Sequence, residues 1–222
     1  MNDLTLLYYT AHMLPDGCSE RIREHLLETA NGLPIVSVSQ KPIDLGKNIC
    51  VGKIGQSYYN CYKQIYTGAC EVKTKYISCC EDDTLYNQEH FLFRPEKDAF
   101  YYNKSMWYLE DDRFWHKGQT GMFGCIVPTE LLVKSLKKRF DEYPKEPFPR
   151  NKQVRAKWIE PGRCDGEKTE DFRTKIPLIT LNYFSGLGGR AKSIVHKPVE
   201  ESDIEYWGSA RALKDKFWHG KD

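Results

Sequence analysis

The chain has 222 residues, of which 40% are hydrophobic and 29% are charged. This composition is typical of a soluble globular protein and excludes collagen, coiled coils and general disorder. No apolar run approaches the roughly 20 residues that a membrane span needs, and Asp3 stands where a signal peptide carries positive charge. Because the net charge is only +2, the chain as a whole gives no argument for nucleic-acid binding.

The eight cysteines indicate a reducing compartment. None of them belongs to a C-x-x-C pair, so a structural zinc site is not expected. Scattered thiols without a disulfide framework are typical of cytoplasmic proteins. We therefore expect a cytoplasmic location, and we expect cysteine chemistry to play no part in the function.

The N-terminal part of the chain alternates strand and helix patterns. An apolar strand is predicted at Leu4–Thr10, followed by a helix at Ser19–Ala30, a strand at Pro34–Ser39, a helix at Ser57–Ala69 and a strand at Lys75–Cys80. Strands that alternate with helices of this length favour βαβ units. The sequence therefore predicts an α/β fold with a largely parallel sheet.

The pattern is looser in the rest of the chain. We predict strands at Ala99–Asn103, Gly121–Val127 and Ile176–Leu181, a helix at Thr129–Phe140 with Thr129 as its N-cap, and a polar helix near Glu200–Lys216. The prolines between residues 143 and 149 mark a turn or linker. This division gives a core at residues 1–140 and an extension of the same domain at residues 141–222.

The sharpest chemical signal is a run of three acids, Glu81-Asp82-Asp83, directly after a predicted buried strand. Open parallel sheets bind ligands at the carboxyl ends of their strands. Adjacent carboxylates repel one another unless a cation lies between them, and Mg²⁺ binds protein carboxylates together with substrate phosphates. The pattern favours a metal site, with an acidic turn that caps the next helix as the alternative.

A glycine-spaced segment, Gly46–Ser57, leads into the second predicted helix. Glycine-rich turns and helix N-termini suit phosphate groups, which makes Gly55 and Ser57 candidates for contact with a nucleotide. The segment lacks the G-K-[ST] element of a P-loop. A flexible loop is the alternative interpretation.

Together these residues resemble the metal-dependent nucleotide-sugar glycosyltransferases of GT-A fold, specifically the small family-2-like members of phages and bacteria. The resemblance covers residues 1–140 best. It rests on PIVSVSQKPIDLGKNICVG, on YYNCYKQIYTGA and above all on TKYISCCEDDTLY, in which the acids are similar to the D-x-D motif. It implies a single GT-A-like, Rossmann-like domain with a mostly parallel central sheet flanked by helices, located in the host cytoplasm if a phage encodes it.

The resemblance also implies where a donor, a UDP-sugar or another nucleoside-diphosphate sugar, would bind. The nucleobase would contact Thr10, Ser39 and Gln40 at the ends of the first two predicted strands. The ribose would contact Glu81, although the family more usually has Asp there, and Asp82 would belong to the same nucleotide site. Arg190 would neutralise the diphosphate, since arginine suits phosphate.

For the metal, the resemblance implies Mn²⁺ or Mg²⁺ bound by Asp83. A further ligand in this family comes late in the chain, and the matching position here is Asn182. His196 lies nearby in the sequence as an alternative. Sugar transfer with inversion would also need a general base, whereas transfer with retention would need none of this kind.

For that base we favour Glu160 in the segment WIEPGR, because Pro161-Gly162 fixes a turn there and the neighbouring Trp158 supplies apolar surroundings that could raise the pKa of its carboxylate. Asp171 is the second candidate, and the pair Asp111 and Asp112 is a third. Similar small transferases have an E-P-G segment at this place.

The acceptor is suggested only by charge. The segment from Lys134 to Lys157 contains nine basic and three acidic residues, enough to attract a polyanion, although such a run also suits a solvated surface. The resemblance includes enzymes that modify hydroxymethylated bases in phage DNA, so DNA is one expected acceptor, beside cell-surface polysaccharide and small molecules. Trp115-His116, in a predicted loop, is a candidate acceptor contact.

Two other classes of function stay open. A metal-dependent nucleotidyltransferase would also use a βαβ half and carboxylates, but it usually has a glycine-rich loop after the first strand, where this chain has Thr10-Ala11-His12. A binding module of the same fold, for sugar or nucleic acid, would have no catalytic need for three crowded acids.

Overall fold

The computed structural model describes residues 3–116, 121–146, 160–162, 165–181 and 199–221. Their helices are α1 Asp16–Ala30, α2 Tyr58–Ala69, α3 Gln88–Leu92, α4 Thr129–Glu142 and α5 Ala210–Lys214, together with a 3-10 turn at Met122–Gly124 and a π turn at Asp215–His219. Their strands are β1 Leu4–Thr10, β2 Ile35–Ser39, β3 Lys47–Cys50, β4 Tyr76–Glu81, β5 Thr84–Leu85, β6 Phe100–Asn103, β7 Met106–Glu110, β8 Arg113–His116, β9 Cys125–Pro128, β10 Thr169–Phe172, β11 Leu178–Leu181, β12 Val199–Glu201, β13 Asp203–Ile204 and β14 Gly208–Ser209.

The main sheet has seven strands in the described residues, in the order β10-β6-β9-β4-β1-β2-β3. All of them run parallel except β9, which is antiparallel to both β4 and β6. The predicted α/β fold with a mostly parallel sheet is therefore confirmed. No described helix has the length and apolar character to cross a bilayer.

A second sheet with the strand order β12-β8-β7-β11-β5 lies at the end of β4. Its strand β5 begins at Thr84, after a turn formed by Asp82 and Asp83. The acidic turn is thus the junction between the two sheets. Leu181 at the end of β11 closes the junction, because its N–H donates to the carbonyl oxygen of Asp83 at 2.7 Å.

Alternating side chains give the main sheet two apolar faces. One face packs on α2 and α4 through buried residues such as Leu7, Val38 and Leu136. Helix α2 approaches this face so closely that a Cβ on Gly68 would lie 2.3 Å from Cδ1 of Leu7. The other face packs on α1 and α3, and α1 continues from there onto the second sheet.

Several boundaries differ from the predictions. Strand β3 lies inside the segment that we interpreted as a glycine-spaced loop, because it is a short, half-exposed edge strand without a continuous apolar pattern. The predicted strand at Gly121–Val127 begins as a 3-10 turn and becomes a strand only at Cys125. Thr129 is the first residue of α4 and not its N-cap, since its hydroxyl donates to the carbonyl of Thr74 at 2.8 Å.

The C-terminal predictions were wrong in two places. Trp115-His116 belongs to strand β8 and not to a loop. The predicted helix near Glu200–Lys216 begins only at Ala210, where Ser209 caps it by accepting from the N–H of Ala212 at 3.1 Å. Short strands precede it, because β12 pairs with β8 across a long stretch of sequence.

Candidate functional site

The carboxyl ends of β1, β2 and β4 meet at one edge of the main sheet. Tyr9 pairs with Glu81, and Thr10 pairs with Ser39. Helix α2 supports this edge through Gln64, whose side-chain amide donates to the carbonyl oxygen of Thr10 at 2.8 Å and to that of Val38 at 3.2 Å. Because Gln64 is buried, its hydrogen bonds fix the ends of β1 and β2.

The side chains of the three acids at this edge have different hydrogen-bond partners. Glu81 accepts a hydrogen bond from the hydroxyl of Tyr9 at 2.8 Å, on the face that packs against α2 and α4. Asp82, only 8% exposed, accepts from the hydroxyl of Thr10. Asp83 accepts from the hydroxyl of Thr84 at 3.1 Å, beside the second sheet.

The electrostatics of the trio are unfavourable to three negative charges. Burial raises the pKa of Glu81 to about 7, and the charges of Asp82 and Glu160 add to the effect while the hydrogen bond from Tyr9 opposes it. Burial raises the pKa of Asp82 to about 6. Burial and the charges of Glu81 and Asp82 raise the pKa of Asp83 well above its usual value. A cation at this edge would remove the penalty.

The donor set suits a metal that shares its coordination with a ligand. Within the described ranges, no group of three or more His, Cys, Asp or Glu side chains is arranged to hold a metal ion by itself. Carboxylate oxygens are nevertheless the donors that Mg²⁺ prefers, and Mg²⁺ commonly binds one or two carboxylates beside substrate phosphates. Asp83 fits this second type of site.

Two of the residues predicted to contact the nucleobase, Ser39 and Gln40, form side-chain hydrogen bonds within the chain. The amide oxygen of Gln40 accepts from the N–H groups of Ile54 and Gly55 at 3.1 and 3.0 Å, and its nitrogen donates back to Gly55 at 2.9 Å. The hydroxyl of Ser39 accepts from the amide of Asn48 at 2.9 Å. Gln40 thus holds the Gly55 loop beside the ends of β1 and β2.

The N-cap of α2 is Ser57, whose hydroxyl accepts from the N–H of Asn60 at 3.1 Å. The same Asn60 donates to the carbonyl of Ile54 at 2.6 Å. The loop from Gly55 to Ser57 is therefore tied at both ends. Contact of this loop with a nucleotide stays a prediction.

The sequence analysis missed His12 as part of this edge. His12 has a positive φ of 55°, its N–H donates to the hydroxyl of Thr10 at 2.9 Å, and its Nε2 accepts from the N–H of Lys41 at 3.2 Å. It therefore joins the loop after β1 to the loop after β2. A strained non-glycine residue at a strand end is typical of functional sites, but neither its φ nor its partner is visible in the sequence.

The turn Glu160-Pro161-Gly162 lies against the same face as Glu81. The hydroxyl of Tyr102 donates to the carbonyl of Pro161 at 2.9 Å. The charge of Glu160 also contributes, after burial, to raising the pKa of Tyr62 and Cys125, both of which lie in the core of this face. The structure thus brings Glu160 to the side of the sheet on which Glu81 lies.

The competing carboxylates lie elsewhere. Asp171 is on edge strand β10, three strands from β4, and forms an ion pair with Lys104 at 3.4 Å. Asp111 and Asp112 form the turn between β7 and β8, where Asp112 pairs with Lys214 at 3.1 Å. The structure does not bring these three residues to the acidic edge.

Several predicted residues lie outside the described residues: Asn182, Arg190, His196, Trp158, Arg150, Lys152, Arg155 and Lys157. In the described part of the basic segment, Lys134, Lys138 and Lys145 are exposed. Arg139 is buried and pairs with Asp165. The accessible positive charge is therefore smaller than the sequence count suggests.

Comparison with known proteins gives only distant likenesses. No protein-family model matches the sequence, and no curated protein matches it. Among solved structures, a glycosyltransferase involved in the glycosylation of the major capsid of PBCV-1 is 11% identical, with a TM-score of 0.48 over 80% of this chain and 91% of that one. S. aureus TarS 1-349 in complex with UDP-GlcNAc is 8% identical, with a TM-score of 0.45 over 82% of this chain and 59% of that one.

A nucleotidyl transferase from Methanothermobacter thermautotroptrophicus is 9% identical, with a TM-score of 0.42 over 62% of this chain and 76% of that one. Likenesses with TM-scores below 0.5 assign neither a family nor an activity.

Proposed function

We propose that this chain is a metal-dependent glycosyltransferase that moves a sugar from a nucleoside-diphosphate sugar, such as a UDP-sugar, to an acceptor hydroxyl. The observation that carries the proposal is the junction of the two sheets. There Glu81, Asp82 and Asp83 crowd the carboxyl end of β4, and burial raises the pKa of all three carboxyl groups. Such an arrangement costs folding stability and is expected where a cationic ligand is used.

The donor nucleotide would lie across the ends of β1 and β2. Thr10 and Ser39 end these two strands, and Gln40 holds the Gly55 loop against them. We assign the base and ribose to this edge, with Glu81 and Asp82 beneath, and we assign the phosphates to the backbone between Gly55 and Ser57. Arg190 is proposed as a further contact with the diphosphate.

The metal would be Mn²⁺ or Mg²⁺, held by Asp83 and, as proposed from the sequence, by Asn182. When bound, such an ion neutralises negative charge on a leaving diphosphate. Asp82, which is fixed by the hydroxyl of Thr10, would support the nucleotide side of the same site.

The proposed general base is Glu160, which lies on the face of Glu81. Its carboxylate would take the proton of the acceptor hydroxyl while the acceptor oxygen forms a bond to C1 of the sugar. The bond between C1 and the β-phosphate oxygen breaks, and the nucleoside diphosphate leaves with that electron pair. Asp171 is the alternative base, although its ion pair with Lys104 keeps it at the far edge of the sheet.

For the acceptor, we propose a polyanion such as DNA that contains hydroxymethylated pyrimidines. The support is the exposed lysines of the basic segment, Lys134, Lys138 and Lys145. A polysaccharide or a small molecule is the competing acceptor class, and it would need no such charge.

The test of the donor assignment is isothermal titration calorimetry with UDP. We expect UDP to bind in Mn²⁺ and to bind much more weakly in EDTA. Asp83→Asn should lose the gain from Mn²⁺, whereas Asp98→Asn, an exposed control before the amino end of β6, should keep it. Absence of binding by UDP and, in the same titration, by GDP, ADP and dTDP would contradict the proposal, as would equal binding with and without metal.

A further inference from the structure

The turn that carries Glu160 is fixed by a buried ion pair. Arg139, on α4, is only 6% exposed, and its Nη2 bonds to Oδ2 of Asp165. The desolvation of both charges offsets much of their attraction, so a buried ion pair is weak evidence for stability. Its geometry is more informative, because it links helix α4 to Asp165, three residues after Gly162 of the turn.

Asp165 is also hydrogen-bonded to the backbone of the turn. Its other oxygen, Oδ1, accepts from the N–H of Gly162 at 2.6 Å and from the N–H of Glu167 at 3.2 Å. One carboxylate therefore holds the backbone on both sides of residue 165 and is itself held by α4. Hydrogen bonds from backbone N–H groups to a carboxylate are charge-assisted and stronger than neutral ones.

Two further contacts restrict the same turn. The hydroxyl of Tyr102, on β6, donates to the carbonyl of Pro161 at 2.9 Å. Gly162 has a φ of 89°, and a Cβ at this position would lie 1.9 Å from Cγ2 of Thr169. The backbone after Glu160 is thus fixed by a helix, by a strand and by a position that only glycine fits.

The guanidinium of Arg139 also lies 5.5 Å from the ring centroid of Tyr62, on α2. Tyr62 is a buried residue of the core cluster that contains Tyr9, and Tyr9 in turn donates to Glu81. A continuous set of packed side chains therefore connects the ion pair to the acidic edge.

We infer that Arg139 and Asp165 are positioning residues that hold the Glu160 carboxylate at the acidic edge for proton transfer. This inference rests on the proposed transferase function. The ion pair would act through the turn, without contact with donor or acceptor. A displacement of the base by about 1 Å can cost on the order of 10²-fold in rate, whereas donor binding at Thr10 and Asp83 should be unaffected.

The experiment measures the rate at which the protein hydrolyses a UDP-sugar. The substrate is the one that the wild type cleaves fastest in a panel of UDP-glucose, UDP-galactose and UDP-GlcNAc. Asp165→Asn keeps a neutral acceptor for the N–H of Gly162 but removes the ion pair. We expect kcat to fall roughly 10- to 100-fold while the KM for the donor stays within about twofold. Asp141→Asn, which breaks the exposed pair with Lys137 on the same helix, is the matched control and should change neither parameter.

A double-mutant cycle separates positioning from a general structural role. In a Glu160→Gln background, Asp165→Asn should cause no further loss of kcat, because the base that it positions is already absent. If Asp165→Asn does not fold, Arg139→Lys, which keeps the charge but loses the planar fork, takes its place in the cycle.

The outcomes distinguish this inference from the proposed function. Full kcat in the folded Asp165→Asn and Arg139→Lys variants, or losses that add to that of Glu160→Gln, would overturn the positioning role while leaving the transferase function intact. A wild type that binds no UDP and hydrolyses no donor would overturn both. An unchanged kcat in Glu160→Gln would remove Glu160 as the base and the positioning role with it.

Discussion

Neutralising Asp83 is expected to stabilise the protein in the absence of metal. Burial and the charges of Glu81 and Asp82 raise the pKa of this carboxyl group. An acid with a raised pKa in the folded state ionises first in the unfolded state, so stability falls as the pH rises through the interval between the two values. Above that interval the full penalty is present.

The two neighbouring acids give only a scale for comparison. Burial raises the pKa of Glu81 from 4.5 to about 7 and that of Asp82 from 3.8 to about 6. One pKa unit corresponds to about 1.4 kcal/mol. We discount this value for solvent screening and expect Asp83→Asn to regain on the order of 1–2 kcal/mol at pH 8, or about 2–8 °C in Tm for a chain of this size.

The assay is thermal unfolding in EDTA at pH 8 and at pH 5. Asp83→Asn should raise the Tm at pH 8 and have a smaller effect at pH 5, where the acids are largely protonated in the fold. Mn²⁺ at about 100 times its Kd should stabilise the wild type by roughly 2.7 kcal/mol and the variant much less. An Asp83→Asn variant that is no more stable than Asp98→Asn at pH 8, or that keeps the shift with Mn²⁺, would refute the reasoning.

Three other predictions concern the core and the acceptor. Burial lowers the pKa of His90 to about 3, whereas the unfolded histidine takes up a proton below about pH 6.5. Between pH 7 and pH 5 the wild type should therefore lose about 2 kcal/mol of unfolding free energy in urea relative to His90→Gln, a comparison in which the protonation of the acidic edge cancels; an equal pH dependence of the two proteins would contradict a buried neutral His90. Gly68→Ala should destabilise the fold by roughly 1–3 kcal/mol, because the added Cβ would lie 2.3 Å from Cδ1 of Leu7; an unchanged urea midpoint would contradict this packing. If the acceptor is DNA, its affinity should fall steeply with salt, and the double variant Lys134→Ala and Lys138→Ala should flatten that slope; a flat response in the wild type would favour a neutral acceptor.

The strands that carry the acidic edge could be predicted because they are buried on both faces. A nearly continuous run of apolar residues forms each of the strands Leu4–Thr10 and Tyr76–Glu81. Such a run is typical of a strand that is buried on both faces. The position of the acids at a strand end, and with it the metal hypothesis, follows from the same local signal.

The rest depends on pairing between distant segments. Strand β3 and the short strands of the second sheet have too few residues for a distinct period, and β12 becomes a strand only because it pairs with β8. The role of Gln40 depends on a loop that returns to it 15 residues later. Glu160 was selected from its local turn, but its place on the face of Glu81 depends on Arg139, which the sequence presented as one more exposed basic residue.

The central claim is metal-dependent transfer from a nucleotide sugar, and the most direct measurement is release of nucleoside diphosphate from a panel of UDP-sugars and other nucleoside-diphosphate sugars with Mn²⁺ or EDTA. We predict that the wild type and Asp98→Asn release UDP or another nucleoside diphosphate from one donor in Mn²⁺, and that both EDTA and Asp83→Asn abolish the release. Release that is unaffected by EDTA and by Asp83→Asn would contradict the metal site at the acidic edge. If the wild type released no nucleoside diphosphate from any donor, the claim of a glycosyltransferase would itself be contradicted.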